Sequence, residues 1–249
     1  MNELPRAALV TGAAKRLGRT LALTLAGLGF DVALHCHRSR DEAITAQRQI
    51  ERLGKRAIVL EADFEAVSAD DAADRLVSDA RDALGTLGVL VNNAGLFTHD
   101  RLRSFDRRHA QRQIDVNLLA PIELCQAFAA QLPDEMKGLI VNLTDARLSD
   151  FTPNYLSYSV AKAGLWAATQ VLARDLAPNI RVNAIAPGPA LPWPGGSDAE
   201  FTSLTQKLPL RHGPTTDEIG RALSFLVESP SITGQAIIVD GGQHMRRHV

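Results

Sequence analysis

Short β-branched runs alternate with amphipathic stretches along nearly the whole chain, and this alternation is the tightest limit on its fold. The apolar runs are Ala7–Thr11, Val32–His35, Ala57–Glu61, Val89–Asn92, Leu139–Asn142, Arg181–Ala184 and Ala236–Asp240. Between them Leu17–Leu28, Asp41–Leu53, Ala72–Leu84, Asp106–Gln131, Tyr158–Leu176 and Asp217–Val227 carry apolar residues at helical spacing. Strands that are apolar on both faces require cover on both sides, which a parallel sheet between two helical layers supplies. The expectation is therefore a doubly wound α/β sheet of about seven parallel strands with helices on both faces. No repeat, low-complexity tract or linker interrupts the pattern, so residues 1–249 read as one domain.

Composition removes several function classes. Lys plus Arg is 27 against 28 for Asp plus Glu, a formal charge of −1, which lacks the global field of a dedicated nucleic-acid or membrane-surface protein. Arg101, Arg103, Arg107, Arg108 and Arg112 crowd one stretch, but the interleaved Asp100 and Asp106 make it read as a solvated helix face. The acidic stretch from Asp63 to Asp74 likewise reads as solvated surface. No apolar stretch reaches the ~18 residues of a membrane span. The early residues, with an acid at position 3 and a lysine at 15, lack a signal-peptide pattern, so a cytoplasmic location is expected. Cys36 and Cys125 have no metal-ligand spacing and read as buried thiols. His244 and His248 have no carboxylate or cysteine at ligand spacing, so no metal is expected.

In doubly wound sheets ligands sit beyond the carboxyl ends of the strands, so the residues just after each run carry the chemistry. After the first run comes Thr11-Gly12-Ala13-Ala14-Lys15-Arg16-Leu17-Gly18, leading into a helix. Gly12 permits a tight turn and Gly18 close helix–sheet packing, leaving backbone N–H groups to face a pyrophosphate. About 20 residues beyond Gly18, where an NAD-binding chain places a carboxylate on the ribose 2′-hydroxyl, stands Arg38. The surrounding string His35-Cys36-His37-Arg38-Ser39 offers a guanidinium, a hydroxyl and imidazoles, which suit a 2′-phosphate and hence NADPH. After the third run Asp63 and Phe64 follow, with Asp63 set either against an adenine amino group or in an acidic loop. After the fourth run, Asn92 and Asn93 can tie neighbouring strands, and Phe97 is either a stacking platform or a core ring.

The fifth run leads to Asp145, and Tyr158 and Lys162 follow at a spacing that puts both on one helix face. An ammonium beside a phenol favours the phenolate, so Tyr158 is expected to titrate below its ordinary ~10 and to serve as proton donor. Tyr155, the only other tyrosine, has no lysine at that spacing.

Taken in order, Thr11-Gly12…Gly18, Asn92-Asn93-Ala94-Gly95, Asn117 within Asp115-Val116-Asn117, Tyr158…Lys162, Pro187-Gly188 and Thr233-Gly234…Asp240-Gly241-Gly242 resemble the short-chain dehydrogenase/reductase family across nearly the whole chain. The resemblance implies a Rossmann-type fold, a nicotinamide cofactor, and assembly as a homotetramer. It implies Tyr158 as proton donor, Lys162 on the ribose, and Asn117 positioning a relay water. Gly12, Arg16, Leu17, Gly18, His37, Arg38, Ser39, Asp63, Phe64, Asn93, Ala94, Tyr158, Lys162, Pro187 and Gly188 would line the cofactor. Two departures, Arg16 where most members have glycine and Asp145 where they have serine, are similar to the pteridine reductase branch. By that resemblance Arg16 reaches cofactor phosphate and pterin, Phe97 stacks on the pterin, and Asp145 pairs with Tyr158. Gly95 and Ala190 stand where trypanosomatid pteridine reductases carry serines. The segment from 189 to 212 would form the substrate flap, where Trp193 either caps the pterin or stands exposed.

The sequence thus leads to an NADPH-dependent enzyme that reduces a small-molecule dihydropterin (dihydrobiopterin, dihydromonapterin or dihydrofolate) to the tetrahydro form. Two rivals are a generic carbonyl or 3-oxoacyl reductase and a catalytically silent NADPH-binding regulator. The first needs a carbonyl-polarising hydroxyl, for which Thr144 or Ser149 would have to substitute, because an ionised Asp145 only accepts hydrogen bonds. The intact Tyr158/Lys162 pair weighs against the second.

Overall fold

The computed structural model describes residues 4–65, 71–149, 151–193 and 195–245, without the side chains of Leu148 and Ser149. Seven strands form one sheet: β1 (Ala7–Val10), β2 (Asp31–Cys36), β3 (Ala57–Glu61), β4 (Leu87–Asn92), β5 (Gly138–Leu143), β6 (Ile180–Pro187) and β7 (Ala236–Val239). Their order is β3-β2-β1-β4-β5-β6-β7, and all six pairings are parallel. The chain builds outward from β1 in one direction and then restarts at β4 in the other. The crevice between β1 and β4 is therefore the switch point at which such sheets bind ligands.

Alternation along the strands divides the interior in two. Ala7 and Leu9 of β1 enter the core on one face with Leu87, Leu90 and Ile140, while Ala8 and Val10 enter the other with Val89, Val91, Leu139 and Val141. The first face is covered by α3 (Ala72–Leu84), α5 (Ala120–Gln131) and α6 (Leu156–Asp175), the second by α1 (Arg16–Gly27), α2 (Arg40–Arg52) and α8 (Thr216–Glu228). Helix α1 shows why the sequence was readable here. Its buried residues Gly18, Leu21, Ala22, Leu25 and Ala26 recur at the three- and four-residue spacing of a single stripe.

Two segments differ from the sequence expectation. The stretch 106–131 is not one regular helix: α4 (Arg107–Ile114) and α5 are joined by a π-helical turn, Asp115–Leu119. A second helix, α7 (Asp198–Gln206), stands within the expected flap, started by a capping box in which Ser197 and Glu200 satisfy each other's backbone N–H groups. It buries only Thr205, so it has no apolar stripe for periodicity to detect. No helix among the described residues is long and apolar enough to cross a membrane.

Candidate active site

The loop after β1 is shaped by close backbone approach. Gly12 has φ +62°, and a Cβ there would lie 3.0 Å from the Ala94 Cα. At Gly18 a Cβ would lie 2.1 Å from the Gly12 carbonyl oxygen, so only glycine lets α1 start this near the loop. Helix α1 begins without a side-chain cap and with no acid in its first turn, leaving its orphan N–H groups and positive dipole end free for an anion. A cleft of 310 Å³ opens beside them, lined among others by Gly12, His37, Arg38, Ser39, Asp63, Phe64 and Ala94. Seven residues that the sequence nominated as scattered strand ends thus meet in one cavity.

Hydrogen bonds hold this crevice. Thr11 Oγ1 accepts from the N–H groups of Asn93 (3.0 Å) and Ala94 (2.9 Å), and Asn93 Nδ2 donates back to the Thr11 and Gly12 carbonyls. Asn92 does the same work one strand over, donating to Asn142 Oδ1 at 2.9 Å. The expected role of the asparagine pair as a strand tie is what the geometry contains. His35, read from sequence as part of a phosphate-binding group, belongs instead to the scaffold. Its Nδ1 accepts the Gly12 N–H at 3.2 Å, which puts the proton on Nε2, 3.1 Å from the Ala62 carbonyl. Burial lowers its pKa to about 4, so it stays neutral and brings no charge to the cleft. His37 Nε2 lies 3.3 Å from Asp63 Oδ2, and Arg38 Nε lies 3.3 Å from the same ring nitrogen. Asp63 also accepts the Glu65 N–H, so it is turned toward its own loop and His37.

The residues that the sequence nominated for the chemistry lie beyond β5, at the entry to α6. Tyr158 donates its hydroxyl hydrogen to Asp145 Oδ2 at 2.8 Å, while Asp145 Oδ1 accepts the Arg147 N–H at 2.8 Å. Lys162 donates to the Leu143 carbonyl at 2.7 Å. The direction of the tyrosine's titration corrects the sequence expectation. Burial first, and then the Asp145 carboxylate, hold Tyr158 well above its ordinary pKa. The ammonium that was to lower it is spent on a backbone carbonyl, and burial brings Lys162 itself down to about 8. Tyr158 is thus a protonated phenol that donates to Asp145. Thr144 is no substitute for the missing serine, because its hydroxyl donates to the Ile185 carbonyl. Ser149 lies outside the described side chains.

Asn117 sits in the π-helical turn, fully buried, with Nδ2 2.9 Å from the Leu96 carbonyl and 3.0 Å from that of Gln113, and Oδ1 accepting the Leu96 N–H. Its side chain fixes the Leu96 loop. Phe97 stands at the site, but one face is taken by Tyr155, stacked at 4.3 Å, while Tyr158 meets it edge-on at 4.8 Å. Arg16, left-handed at φ +53°, donates to the Pro192 carbonyl at 2.7 Å, bonding the first loop to the flap instead of entering the cofactor cleft. Trp193 is half-buried and packs on Gly196, where a Cβ would come within 2.4 Å of the indole. Leu17 packs on the α1 face of the core. Pro187 ends β6, and Gly188 backs so closely on β7 that a Cβ would lie 2.6 Å from Asp240 Cα.

Sequence reasoning missed three polar positions. Asp100 is buried and accepts the Ser157 N–H, capping α6, rather than belonging to a solvated face. Asp240, four residues upstream of His244, pairs with it at 2.9 Å. His248 lies outside the described residues, as does the centre of the acidic stretch. Arg147, two residues past Asp145, brings a guanidinium to the aromatic pair.

Comparison with known proteins agrees with this geometry. A family model described as enoyl-(acyl carrier protein) reductase matches residues 12–244. The 3-oxoacyl-(acyl-carrier-protein) reductase of Staphylococcus epidermidis is 31% identical, over 96% of this chain and 99% of its own. Among solved structures, FolM alternative dihydrofolate reductase 1 of Brucella canis, in complex with NADP, is 41% identical with a TM-score of 0.92, covering 98% of this chain and 95% of that one. Its counterpart from Brucella suis, also with NADP, gives the same identity and score over 98% and 96%. The loop after β1, the switch-point asparagines, the Tyr158/Lys162 pair and these matches lead to one conclusion: the chain belongs to the short-chain dehydrogenase/reductase family and is an oxidoreductase of that family.

Proposed function

We propose that the chain is an NADPH-dependent reductase that converts a dihydropterin to its tetrahydro form. The observation that carries the reading is the Tyr158–Asp145 hydrogen bond, 2.8 Å long, beside the Phe97 ring. The first turn of α1 fits a pyrophosphate, and Arg38 with His37 and Ser39 fits a ribose 2′-phosphate, so the donor set suits NADPH. The NADP-bound dihydrofolate reductases at 41% identity support the same cofactor and substrate class. When bound, NADPH supplies a hydride from its nicotinamide ring.

The protein's own part is proton delivery and shape. Reduction of a ring C=N bond adds a hydride to carbon and a proton to nitrogen. Tyr158 holds that proton, because burial and Asp145 keep the phenol from ionising at neutral pH. Asp145 accepts from the hydroxyl, fixing where its oxygen lies, and is itself oriented by the Arg147 N–H. Lys162, tied to the Leu143 carbonyl, stands on the same face of α6 where a ribose would run. Phe97 and Tyr155, stacked on each other, form an aromatic pair next to Tyr158, suited to a planar heterocycle.

The 3-oxoacyl reductase relative supports a second reading, reduction of a ketone thioester. The site opposes it through Thr144, whose hydroxyl is committed to Ile185, and through Asp145, which replaces a donor with an acceptor. Parallel rates of NADPH oxidation with dihydrobiopterin, dihydromonapterin, dihydrofolate and an acetoacetyl thioester test the choice. Turnover of the pterins is expected. Turnover of the thioester alone overturns the reading.

A further inference from the structure

Arg147 is the one guanidinium among the described residues that carries a buried nitrogen with no hydrogen-bond acceptor. Such a group is expensive to leave unpaired, since a buried charged donor forfeits its hydration without replacement. Its position is held from two sides. At the backbone, its N–H is bonded to Asp145 Oδ1. At the head, Cζ lies 4.9 Å from the Phe97 ring centre and 4.8 Å from that of Tyr155, contacts that favour a cation and restrict its rotamers. The guanidinium thus lies against Phe97 and Tyr155, Phe97 in turn meets Tyr158 edge-on, and the charge is felt by the Tyr158 phenol.

We propose that Arg147 is a specificity-determining residue that donates from its unpartnered Nη1 to an acceptor atom on the substrate ring, an oxo oxygen or ring nitrogen of a planar lactam heterocycle. This inference rests on the dihydropterin reading above. The acceptor belongs to the ring and not to an acidic tail. Nη1 is buried at the Phe97 and Tyr155 rings, whereas a tail carboxylate of a folate must extend away toward solvent. Donation at the ring edge, with Phe97 beside its face, fixes the heterocycle in its plane, so the nitrogen to be protonated comes to the Tyr158 hydroxyl. A 3-oxoacyl chain offers no rigid second acceptor of this kind, so Arg147 would also discriminate between the two substrate classes.

The test uses the full chain with Arg147→Met, which keeps length and apolar contact, and Arg147→Lys, which keeps the charge and loses the fork. NADPH affinity is measured for each as a folding control, since the cofactor cleft does not include Arg147. KM is then compared for dihydrobiopterin, which has no carboxylate, and dihydrofolate, which does. The expected result is a rise in KM of about 10- to 100-fold for both substrates in Arg147→Met, the range that a hydrogen bond to a charged group supplies. Arg147→Lys is expected to keep the wild-type pH profile of kcat while losing most of the KM gain. A loss confined to dihydrofolate assigns Arg147 to the acidic tail and overturns the proposal. An unchanged KM for both overturns it as well, leaving the guanidinium a structural brace. Failure of the wild-type chain to reduce any dihydropterin is a separate outcome, which removes the functional reading and this inference with it.

Discussion

The two halves of the site are built by different means. The half at the β1/β4 crevice is set by close backbone approach: Gly12 and Gly18 set van der Waals limits, and the side chains of Thr11, His35 and Asn93 lock the loops by hydrogen bonds to main-chain groups. The other half is made of side chains meeting from distant segments: Phe97 from the loop after β4, and Asp145, Arg147, Tyr155 and Tyr158 from beyond β5. A backbone-built site holds what every dinucleotide shares, whereas a side-chain site holds what distinguishes one substrate from another.

Substitutions should therefore separate the halves. The largest effect is expected at Tyr158→Phe, with kcat down by about 10²- to 10⁴-fold, the contribution of a general acid. NADPH affinity measured by fluorescence titration should hardly move. An affinity that falls in step with kcat would show the halves to be one unit. Gly18→Ala should act on the other half. A methyl group 2.1 Å from the Gly12 oxygen must displace α1 or the loop, costing about 1–3 kcal/mol of stability and weakening NADPH binding by more than tenfold. The thermal midpoint and the NADPH Kd check it.

His35 gives the first half a pH signature. With its pKa near 4 in the fold and 6.5 when unfolded, the unfolded chain takes up a proton that the folded chain refuses. The stability tied to this residue is fully present above pH 6.5 and is lost as pH falls toward 4, by about 3 kcal/mol across that interval. Urea titrations at pH 7 and 4.5 should give a smaller drop for His35→Gln than for the wild type. The smallest effect is expected for Arg38→Ala, about a tenfold rise in the KM for NADPH with that for NADH unchanged, as loss of one charged contact to the 2′-phosphate requires.

The same division decides what could be read in the sequence. The strand alternation, the α1 stripe and the glycine spacing are local patterns, and each reappears in the sheet order and the packed loop. The Tyr158/Lys162 spacing likewise located the chemistry on α6. What spacing could not supply was direction. Nothing in Tyr158…Lys162 says that the ammonium turns to the Leu143 carbonyl, or that Asp145 reaches the phenol first and raises its pKa. Phe97 was located but not its partner, because Tyr155 arrives from a segment nearly sixty residues on with a left-handed backbone. Helix α7 lacked an apolar stripe, although its Ser197/Glu200 capping box was present as a local signal. Arg147 lies just past β5 in the sequence, but its significance depends on a missing acceptor, which is a property of the folded site.

The central claim is that Asp145 commits the Tyr158 hydroxyl to a pterin rather than to a ketone. Its most direct test is the ratio of kcat/KM for a dihydropterin to that for an acetoacetyl thioester, measured in the wild type and in Asp145→Ser. The account predicts a ratio well above one in the wild type that falls by at least tenfold in the variant, with NADPH affinity preserved. A ratio left unchanged in Asp145→Ser, with full dihydropterin turnover kept, would contradict it.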